Sequence, residues 1–405
     1  MEESTGIGFD LKRILKYAVD QKASDIHIKP GKPPIVRING QLQDIPRVTK
    51  LNPNQIADIA RKIMNEHQIE MFRQNLEVDL AYSLPGVGRF RVNVYQQRGS
   101  VAISLRLIPH SVKGFEELNL PLVLKKIAEL PRGLVIVTGA TGSGKSTTLA
   151  AMIQHINNNQ TRHIVTIEDP IEFLIRDNKS IISQREVGFD TPSFLKAIRS
   201  ALRQDPDIIL VGEMRDVETV TTALQAAETG HLVLSTLHTV DVMETINRIL
   251  SFYPAHQLEH IRFELSSSLR AIICQRLVPC ADRSGRVPAL EIMINNSRIK
   301  ECIQVKEKTH EVVDAMEKGY TTDGTQTFDM SLMRLVKNKL ISYQDALENS
   351  TNPGDFALKF KGVSSTADAE FAESTQAEAA EHDRLARKKD SDTTQKMIIE
   401  RFDKK

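Results

Sequence analysis

A glycine-rich stretch at positions 139–148, GATGSGKSTT, has the residue types and the spacing that bind a nucleoside triphosphate. It fits the pattern G-x-x-x-x-G-K-[ST], follows the apolar run LVIV and opens the helical stretch KSTTLAAMIQHI. Glycines let the backbone curl so that successive N–H groups face the phosphates, and the helix N-terminus adds its positive end. Lys145 supplies a charge to the outer phosphates, and Ser146 offers a hydroxyl to Mg²⁺. The residues predicted to bind ATP are Gly139, Thr141, Gly142, Ser143, Gly144, Lys145, Ser146 and Thr147.

Acidic and histidine side chains follow three further apolar runs. Glu168 and Asp169 come after IVTI, Glu213 after IILVG, and His238 after LVLSTL. Because ligands of an open α/β sheet bind at the carboxyl ends of its strands, we expect these side chains to converge beside the phosphate loop. One carboxylate can polarise the attacking water, another can hold Mg²⁺, and the histidine can sense the γ-phosphate. We predict Glu168, Glu213 and His238 as catalytic residues, with Ser146 and Glu213 at the magnesium.

The elements that position these residues fall into two groups with different periodicity. Residues 1–110 mix helical stripes with alternating strands, which predicts a small α+β domain. It includes a hairpin at Asn39-Gly40 and a last hairpin, GRFRVNVYQQRGSVAISLRLIP, that places arginines on the face away from the core. Residues 111–120 are the predicted linker. Residues 121–362 alternate continuous apolar strands with helices, as in a parallel sheet covered on both faces, and become mainly helical beyond residue 255. Residues 363–405 are polar and low in aromatics, which predicts a tail that is disordered or a loose helix.

Composition excludes several classes of protein. The 405 residues carry 53 basic and 52 acidic side chains, and 5% are aromatic, which argues against a nucleic-acid partner. The N-terminal MEESTGIGFD lacks the basic and apolar regions of a secretory signal, and no apolar run approaches the ~20 residues that span a bilayer. The three cysteines form no CxxC pair and suit a reducing compartment. We therefore expect a soluble cytoplasmic protein.

Seven blocks of the chain together resemble the secretion and twitching-motility ATPases, most closely the PilT/PilU-type ATPases of type IV pilus retraction. The blocks are ASDIHIKPG, GRFRVNVYQQRG, GATGSGKSTTLAAMI, VTIEDPIEF, AIRSALRQDPDIILVGEMRD, ALQAAETGHLVLSTLHT and QRLVP. The resemblance covers roughly residues 10–360 and implies a RecA-like P-loop motor domain preceded by a small α+β (PAS-like) domain.

The resemblance also assigns roles to individual residues. IEDPIEF resembles the family's aspartate box, with Glu168 as general base, and ILVGE resembles its atypical Walker B, which ends in Glu213. STLHT resembles the histidine box, with His238 near the γ-phosphate. The spacing of Arg91 and Arg106 matches two family arginines that reach the nucleotide and stabilise the transferring phosphoryl group as arginine fingers.

Membership implies a homohexamer whose domains close on ATP and open on product release. The ring would act on the inner-membrane platform protein of the pilus, from the cytoplasmic face of the inner membrane, and drive pilus retraction.

Three alternatives to this function stay open. Scattered cysteines and a short N-terminal region favour the retraction branch over a type II secretion-type ATPase. Within that branch, NNSRIKECIQVKEKTHEV departs from the AIRNLIRE motif of many PilT proteins, and the extended tail favours PilU-like members. Such a protein would be an accessory subunit that binds a sister PilT-type ATPase. A nucleic-acid translocase is the third alternative, disfavoured by the balanced charge.

Overall fold

The computed structural model describes residues 10–109 and 111–362, which form two compact units. The predicted tail 363–405 lies outside the described residues, as do residues 1–9 and residue 110. The first unit comprises residues 10–109 and 111–112 together with two later segments, 168–176 and 184–193. The second comprises residues 113–167, 177–183 and 194–362.

The first unit is built around an antiparallel sheet of six strands in the order β3-β2-β1-β6-β5-β4. Its elements in chain order are α1 (Leu11–Asp20), β1 (Asp25–Ile28), β2 (Ile35–Ile38), β3 (Gln41–Asp44), α2 (Pro53–Ile63), α3 (Glu66–Asn75), β4 (Glu77–Leu84), β5 (Gly88–Gln97) and β6 (Ser100–Ile108).

Local signals in the sequence account for several of these elements. Helix α2 begins with a capping box, in which Asn52 accepts from the backbone N–H of Gln55 and the Gln55 side chain accepts from that of Asn52. The predicted turn at Asn39-Gly40 is confirmed, because both residues have positive φ, 50° and 81°. Residues Arg98 and Gly99 repeat this geometry between β5 and β6, with φ of 49° and 74°.

One row of charged side chains crosses four strands of this sheet. Residues directly opposite each other in antiparallel strands share a face. Asp25 is opposite both Arg37 and Arg106, and Arg106 is opposite Arg91. Three arginines and one aspartate therefore line one face across β2, β1, β6 and β5, while Phe90, Val92 and Val94 of β5 point into the core on the other face.

The second unit contains a sheet of seven strands in the order β13-β12-β7-β11-β10-β8-β9. The four strands predicted from the apolar runs, β7, β8, β10 and β11, pair in parallel in the order β7-β11-β10-β8. Strand β12 pairs in parallel with the other edge of β7, and β13 is antiparallel to β12. The strands are β7 (Gly133–Thr138), β8 (His163–Glu168), β9 (Ile181–Glu186), β10 (Ile208–Val211), β11 (Leu232–Leu237), β12 (Leu269–Pro279) and β13 (Arg286–Ile294). The ends of β8 and β9 belong to the first unit.

Helices alternate with these strands and then follow them. They are α4 (Val123–Ala128), α5 (Lys145–Asn159), α6 (Phe194–Ala201), α7 (Val217–Glu228), α8 (Val242–Ser251), α9 (Leu258–Ser268), α10 (Ser297–Gln304), α11 (Val312–Lys318), α12 (Tyr320–Asp323), α13 (Phe328–Lys337), α14 (Tyr343–Asn349) and α15 (Pro353–Phe360), with 3₁₀ turns at Ala255–Gln257 and Lys306–Glu311.

The expectation of a mainly helical chain beyond residue 255 is wrong for β12 and β13, which form a long hairpin. Most of their residues are buried, so the strands lack the polar alternation that distinguishes a strand from a buried helix. Pairing with β7, more than 130 residues away in the chain for Cys274 and Thr138, decides the strand conformation.

Candidate functional site

The phosphate loop joins the carboxyl end of β7 to the first residue of α5. Three of its glycines have positive φ: 141° at Gly139, 80° at Gly142 and 92° at Gly144. Side chains with a Cβ rarely adopt these conformations, so the loop shape depends on glycine at these positions. The curl places the loop directly in front of the N-terminus of a 15-residue helix.

The loop has the properties of an anion site. Gly144 is the N-cap of α5 and provides no side-chain hydrogen bond, so the N–H groups of Lys145, Ser146 and Thr147 have no acceptor within the helix. The buried Ser143 hydroxyl has no hydrogen-bond partner among the described residues. Thr141, Gly142 and Ser146 are exposed at the same place. Unsatisfied donors at a helix N-terminus suit a nucleotide's phosphates.

Lys145 folds back over this loop. Its ammonium donates to the carbonyl oxygens of Gly139 and Ala140 at 2.7 and 3.1 Å. Burial lowers the pKa of Lys145, and the negative charge of Glu213 opposes that shift. The loop lysine and Glu213 therefore lie within electrostatic reach of each other, as the convergence of strand ends predicts.

Glu213 is held between two cationic or titratable partners. Its side chain is 13% exposed; one carboxylate oxygen pairs with the Arg215 guanidinium, and the other lies 3.3 Å from Nε2 of His238. The preceding carbonyl, that of Gly212, accepts from the Thr236 hydroxyl at 2.5 Å, which fixes the end of β10 against β11. The structure thus brings Lys145, Glu213 and His238 together, as the sequence predicts.

Glu168 is the half-buried last residue of β8 and belongs to the first unit. Its Oε1 accepts from the Gln184 side-chain amide at 3.1 Å, and its Oε2 accepts from the backbone N–H of Glu172 at 3.4 Å. Both partners belong to the same unit, so the carboxylate is oriented by the segments that flank it. Its action on a water beside the phosphate loop stays a prediction.

The two predicted arginine fingers also belong to the first unit and differ in their partners. Arg106 donates from Nε to Asp25 at 2.8 Å, yet its side chain remains 71% exposed. Arg91 is exposed and makes no ion pair or side-chain hydrogen bond among residues 10–109 and 111–362. The nearby Arg89 pairs with Glu186 at 2.9 Å and is only 15% exposed, so its guanidinium is not available to a ligand in this arrangement.

Sequence reasoning missed two buried polar residues beside the site. Gln275 of β12 hydrogen-bonds to Ser143 of the loop and to Thr148 in the first turn of α5. Glu291 of β13 accepts from the N–H of Val242 at the start of α8, just after His238. Nothing in the local pattern marks either residue. Gln275 is the first residue of QRLVP, one of the family-like blocks. The sequence does not show that it lies next to the phosphate loop, because only the pairing of β12 with β7 brings the two together.

Cysteine and membrane features add no second site. Cys274 and Cys302 are buried thiols and Cys280 is half-buried. Burial raises the pKa of Cys274, which keeps that thiol protonated and inert. Within the part of the chain that the structure describes, no cluster of three or more His, Cys, Asp or Glu side chains has the arrangement of a metal site. No helix among the same residues combines the length and the hydropathy needed to cross a bilayer.

Comparison with known proteins gives concordant matches over most of the chain. The model of the family described as "Type II/IV secretion system protein" matches residues 2–337. The chain is 45% identical over 347 residues to the type IV pilus retraction ATPase PilT of Pseudomonas aeruginosa, covering 86% of this chain and 100% of that protein. It is 42% identical over 360 residues to the type IV pilus ATPase PilU of the same organism, covering 89% and 94%.

A solved structure agrees with these matches. The crystal structure of the pilus retraction motor PilT with bound ADP superposes with a TM-score of 0.78 at 45% identity, covering 86% of this chain and 98% of that one. The α+β domain, the P-loop sheet with its phosphate loop, and these matches together establish that the chain belongs to the type II/IV secretion system protein family, as a P-loop ATPase of its PilT/PilU branch.

Proposed function

We propose that the protein is an ATP-hydrolysing, hexameric motor that powers type IV pilus retraction. The observation that carries the proposal is the group formed by the uncapped N-terminus of α5, Lys145 and the Glu213–His238 pair, found in a chain that covers the whole length of a retraction ATPase. A relative, the pilus retraction motor PilT, has been crystallised with bound ADP, which fits a phosphate loop of this shape.

The loop residues bind and orient the nucleotide. The N–H groups of the loop and of the first turn of α5 receive the phosphates, and the Lys145 ammonium exchanges its two loop carbonyls for phosphate oxygens. Ser146 and Glu213 are the residues that would hold Mg²⁺, which when bound neutralises charge on the β- and γ-phosphates. The Ser146 hydroxyl is exposed at the helix start and is free to turn toward a ligand there.

Hydrolysis needs a proton acceptor and a way to detect the γ-phosphate. The Glu168 carboxylate takes the proton from the attacking water, and Gln184 and the Glu172 N–H hold that carboxylate in a fixed orientation. His238 donates to or releases Glu213 according to whether a γ-phosphate competes for its Nε2 atom. Arg91 and Arg106 stabilise charge on the transferring phosphoryl group.

Assembly and location complete the proposal. A homohexamer would close and open the two domains of each subunit (residues 1–110 and 121–362, joined by the linker 111–120) through the ATP cycle. The ring would work at the cytoplasmic face of the inner membrane, on the platform protein at the base of the pilus, with no role for nucleic acid.

The accessory alternative has one observation in its favour. PilU of Pseudomonas aeruginosa matches a slightly longer part of this chain than PilT does, 360 against 347 residues, at nearly equal identity. A PilU-like protein would bind a sister PilT-type ATPase. Expression of this chain in cells that lack their own PilT separates the two: restored twitching supports an autonomous motor, whereas failure to restore twitching, together with binding of the purified protein to a PilT-type ATPase, supports the accessory role.

The first biochemical test is steady-state ATP hydrolysis by the purified protein. We expect measurable turnover that Glu168→Gln and Glu213→Ala each lower by at least ~10²-fold, the scale of losing a general base or a group that acts on the transition state. Glu259→Gln, which alters an exposed glutamate of α9, is the matched control and should leave turnover unchanged. Turnover no faster than that of Glu168→Gln in the unmodified protein would contradict the motor proposal.

A further inference from the structure

Gln275 lies next to the phosphate loop although it is far from the loop in sequence. Strand β12 runs parallel to β7, and Cys274 is opposite Thr138, the last residue of β7. Gln275 is the next residue along β12, so it lies beside Gly139, where the loop begins. It is 3% exposed, and a buried amide side chain requires hydrogen-bond partners.

Both ends of the Gln275 amide bind parts of the nucleotide-binding segment. Its Nε2 donates to the carbonyl oxygen of Ser143 at 2.8 Å, and its Oε1 accepts from the hydroxyl of Thr148 at 2.7 Å. Ser143 immediately precedes the N-cap of α5, and Thr148 lies in the first turn of that helix. One side chain therefore connects the loop backbone to the helix that the loop opens.

Gln275 leaves no room for a side chain at two glycines of the motif, Gly139 and Gly144. A Cβ atom built on Gly144 would lie 2.7 Å from Nε2 of Gln275, and one built on Gly139 would lie 2.4 Å from its backbone oxygen. By contrast, a Cβ atom at Gly142 would meet no atom of the described residues within 4 Å. Glycine at positions 139 and 144 thus allows β12 to approach the loop, in addition to allowing positive φ.

We propose that Gln275 is a positioning residue that holds the phosphate loop and the first turn of α5 in their nucleotide-binding arrangement before the nucleotide arrives. The inference rests on the proposed nucleotide site. Preorganisation favours binding because the loop N–H groups need not be ordered at the moment of association. Gln275 touches neither the phosphates nor the attacking water in this account, so it acts on affinity more than on turnover.

The test compares nucleotide affinity, turnover and stability in matched variants. Gln275→Met keeps the length of the side chain and removes both hydrogen bonds, while Thr148→Val removes one of them from the other side. Gln326→Met is the control. Gln326 is also 3% exposed and donates to a backbone carbonyl at 2.8 Å, but that carbonyl belongs to Leu290 of β13 and not to the phosphate loop. The measurements are binding of a fluorescent ADP analogue with Mg²⁺, kcat at saturating ATP, and the thermal midpoint without nucleotide.

We expect Gln275→Met to weaken ADP binding by about tenfold, the effect of ~1.4 kcal/mol, and to change kcat by less than about twofold. Thr148→Val should weaken ADP binding by a smaller factor, and it should cause no further loss of affinity in the Gln275→Met background. Thr148→Ser keeps the hydroxyl and should have the affinity of the parent. Gln326→Met should lower the thermal midpoint without changing affinity.

Two results would overturn the inference. The first is unchanged affinity in Gln275→Met, and the second is equal loss of affinity in Gln275→Met and Gln326→Met, which would indicate general destabilisation. If Gln275→Met fails to fold, Thr148→Val decides alone, and parent-like affinity in that variant overturns the proposal. Failure of the unmodified protein to bind ADP is a distinct outcome, because it removes the proposed nucleotide site together with the inference.

Discussion

Arg91 and Arg106 lie directly opposite each other on β5 and β6, but among the described residues only Arg106 has a carboxylate partner, Asp25, at 2.8 Å. Like charges opposite each other in a sheet are unfavourable, so two adjacent exposed arginines call for a reason beyond folding. A phosphoryl group that both guanidinium groups contact would supply one, since charge on that group grows in the transition state.

We therefore expect Arg91→Gln and Arg106→Gln each to lower kcat by on the order of 10³-fold, the lower range measured for arginine fingers. ADP affinity should change far less, because the effect is on the transition state. Arg61→Gln is the control, since Arg61 is an exposed residue of α2 whose partner, Asp58, lies on the same helix. If either β-strand variant had the turnover of Arg61→Gln, that arginine would have no catalytic role. ATP hydrolysis and ADP titration on the same preparations provide both measurements.

Asp25 supports a second prediction, because it orients one of the two arginines. Burial raises the pKa of Asp25, but hydrogen bonds from Arg106 and Ser24 outweigh this and hold its pKa below the usual value. The carboxylate is thus charged at neutral pH and fixes the Nε end of Arg106. Asp25→Asn should lower kcat by about tenfold, the effect of losing a charge-assisted hydrogen bond.

The matching double variant separates positioning from stability. If Asp25 acts through Arg106, Asp25→Asn should have no further effect on kcat in the Arg106→Gln background. Independent, multiplicative losses of kcat would show that Asp25 acts by another route. The thermal midpoint of each variant should be measured alongside, because Arg37 also lies 3.7 Å from Asp25 and its pairing contributes to the sheet.

The phosphate-loop glycines provide a third prediction, on stability without any nucleotide. Gly142→Ala introduces only the conformational cost of positive φ, about 1–2 kcal/mol, because no atom of the residues that the structure describes lies within 4 Å of the new methyl group. Gly139→Ala and Gly144→Ala add collisions with Gln275 at 2.4 and 2.7 Å. We expect both to lower the thermal midpoint more than Gly142→Ala does. Equal midpoints for the three variants would mean that β12 moves at little cost to accommodate the new methyl groups and does not hold the loop in place.

The sequence predicts those parts of the molecule that depend on neighbouring residues. The loop at Gly139–Thr147 and the turn at Asn39-Gly40 are defined by local residue types, and the structure has both. The end of a parallel strand is also visible locally, so the meeting of Glu213 and His238 beside Lys145 could be predicted. Family resemblance added the roles of Arg91 and Arg106, which no local pattern reveals.

Features that depend on pairing between distant residues could not be predicted. The β12–β13 hairpin is one such feature, because its strands are mostly continuous apolar runs and the buried residues of β12 resemble those of a buried helix. Strand β4 is different: EVDLAYSL alternates polar and apolar residues and is followed by Pro85-Gly86, so the sequence does carry a local signal for this strand that our prediction missed. Gln275 and Glu291 are polar residues in largely apolar strands, and their partners, Ser143 and Val242, are 132 and 49 residues away. Only the register of the folded sheet shows what they bind.

Glu291 provides the last prediction, which concerns the pH dependence of stability. Its side chain is buried and accepts from the N–H of Val242 at 2.9 Å, which ties β13 to the start of α8. Burial raises the pKa of Glu291 from 4.5 to about 7; the Val242 hydrogen bond and Arg276 oppose the increase, and Asp241 adds to it. The folded protein therefore holds a proton on Glu291 that the unfolded chain releases near pH 4.5.

The sign of the effect follows from this difference. A group whose pKa is higher in the folded state stabilises the protein fully below the unfolded pKa and loses that contribution as pH rises through the folded pKa. Between pH 4.5 and about 7, Glu291 should thus remove up to about 3 kcal/mol from the free energy of unfolding. Glu291→Gln keeps an acceptor for Val242 but cannot ionise. The thermal midpoint of this variant minus that of the parent should therefore increase by several degrees as the pH rises from 5 to 8. Glu259→Gln is the control and should follow the parent at every pH. Parallel pH profiles for Glu291→Gln and the parent would mean that Glu291 is ionised throughout, and that the contact between β13 and the segment after His238 is an ordinary charged hydrogen bond.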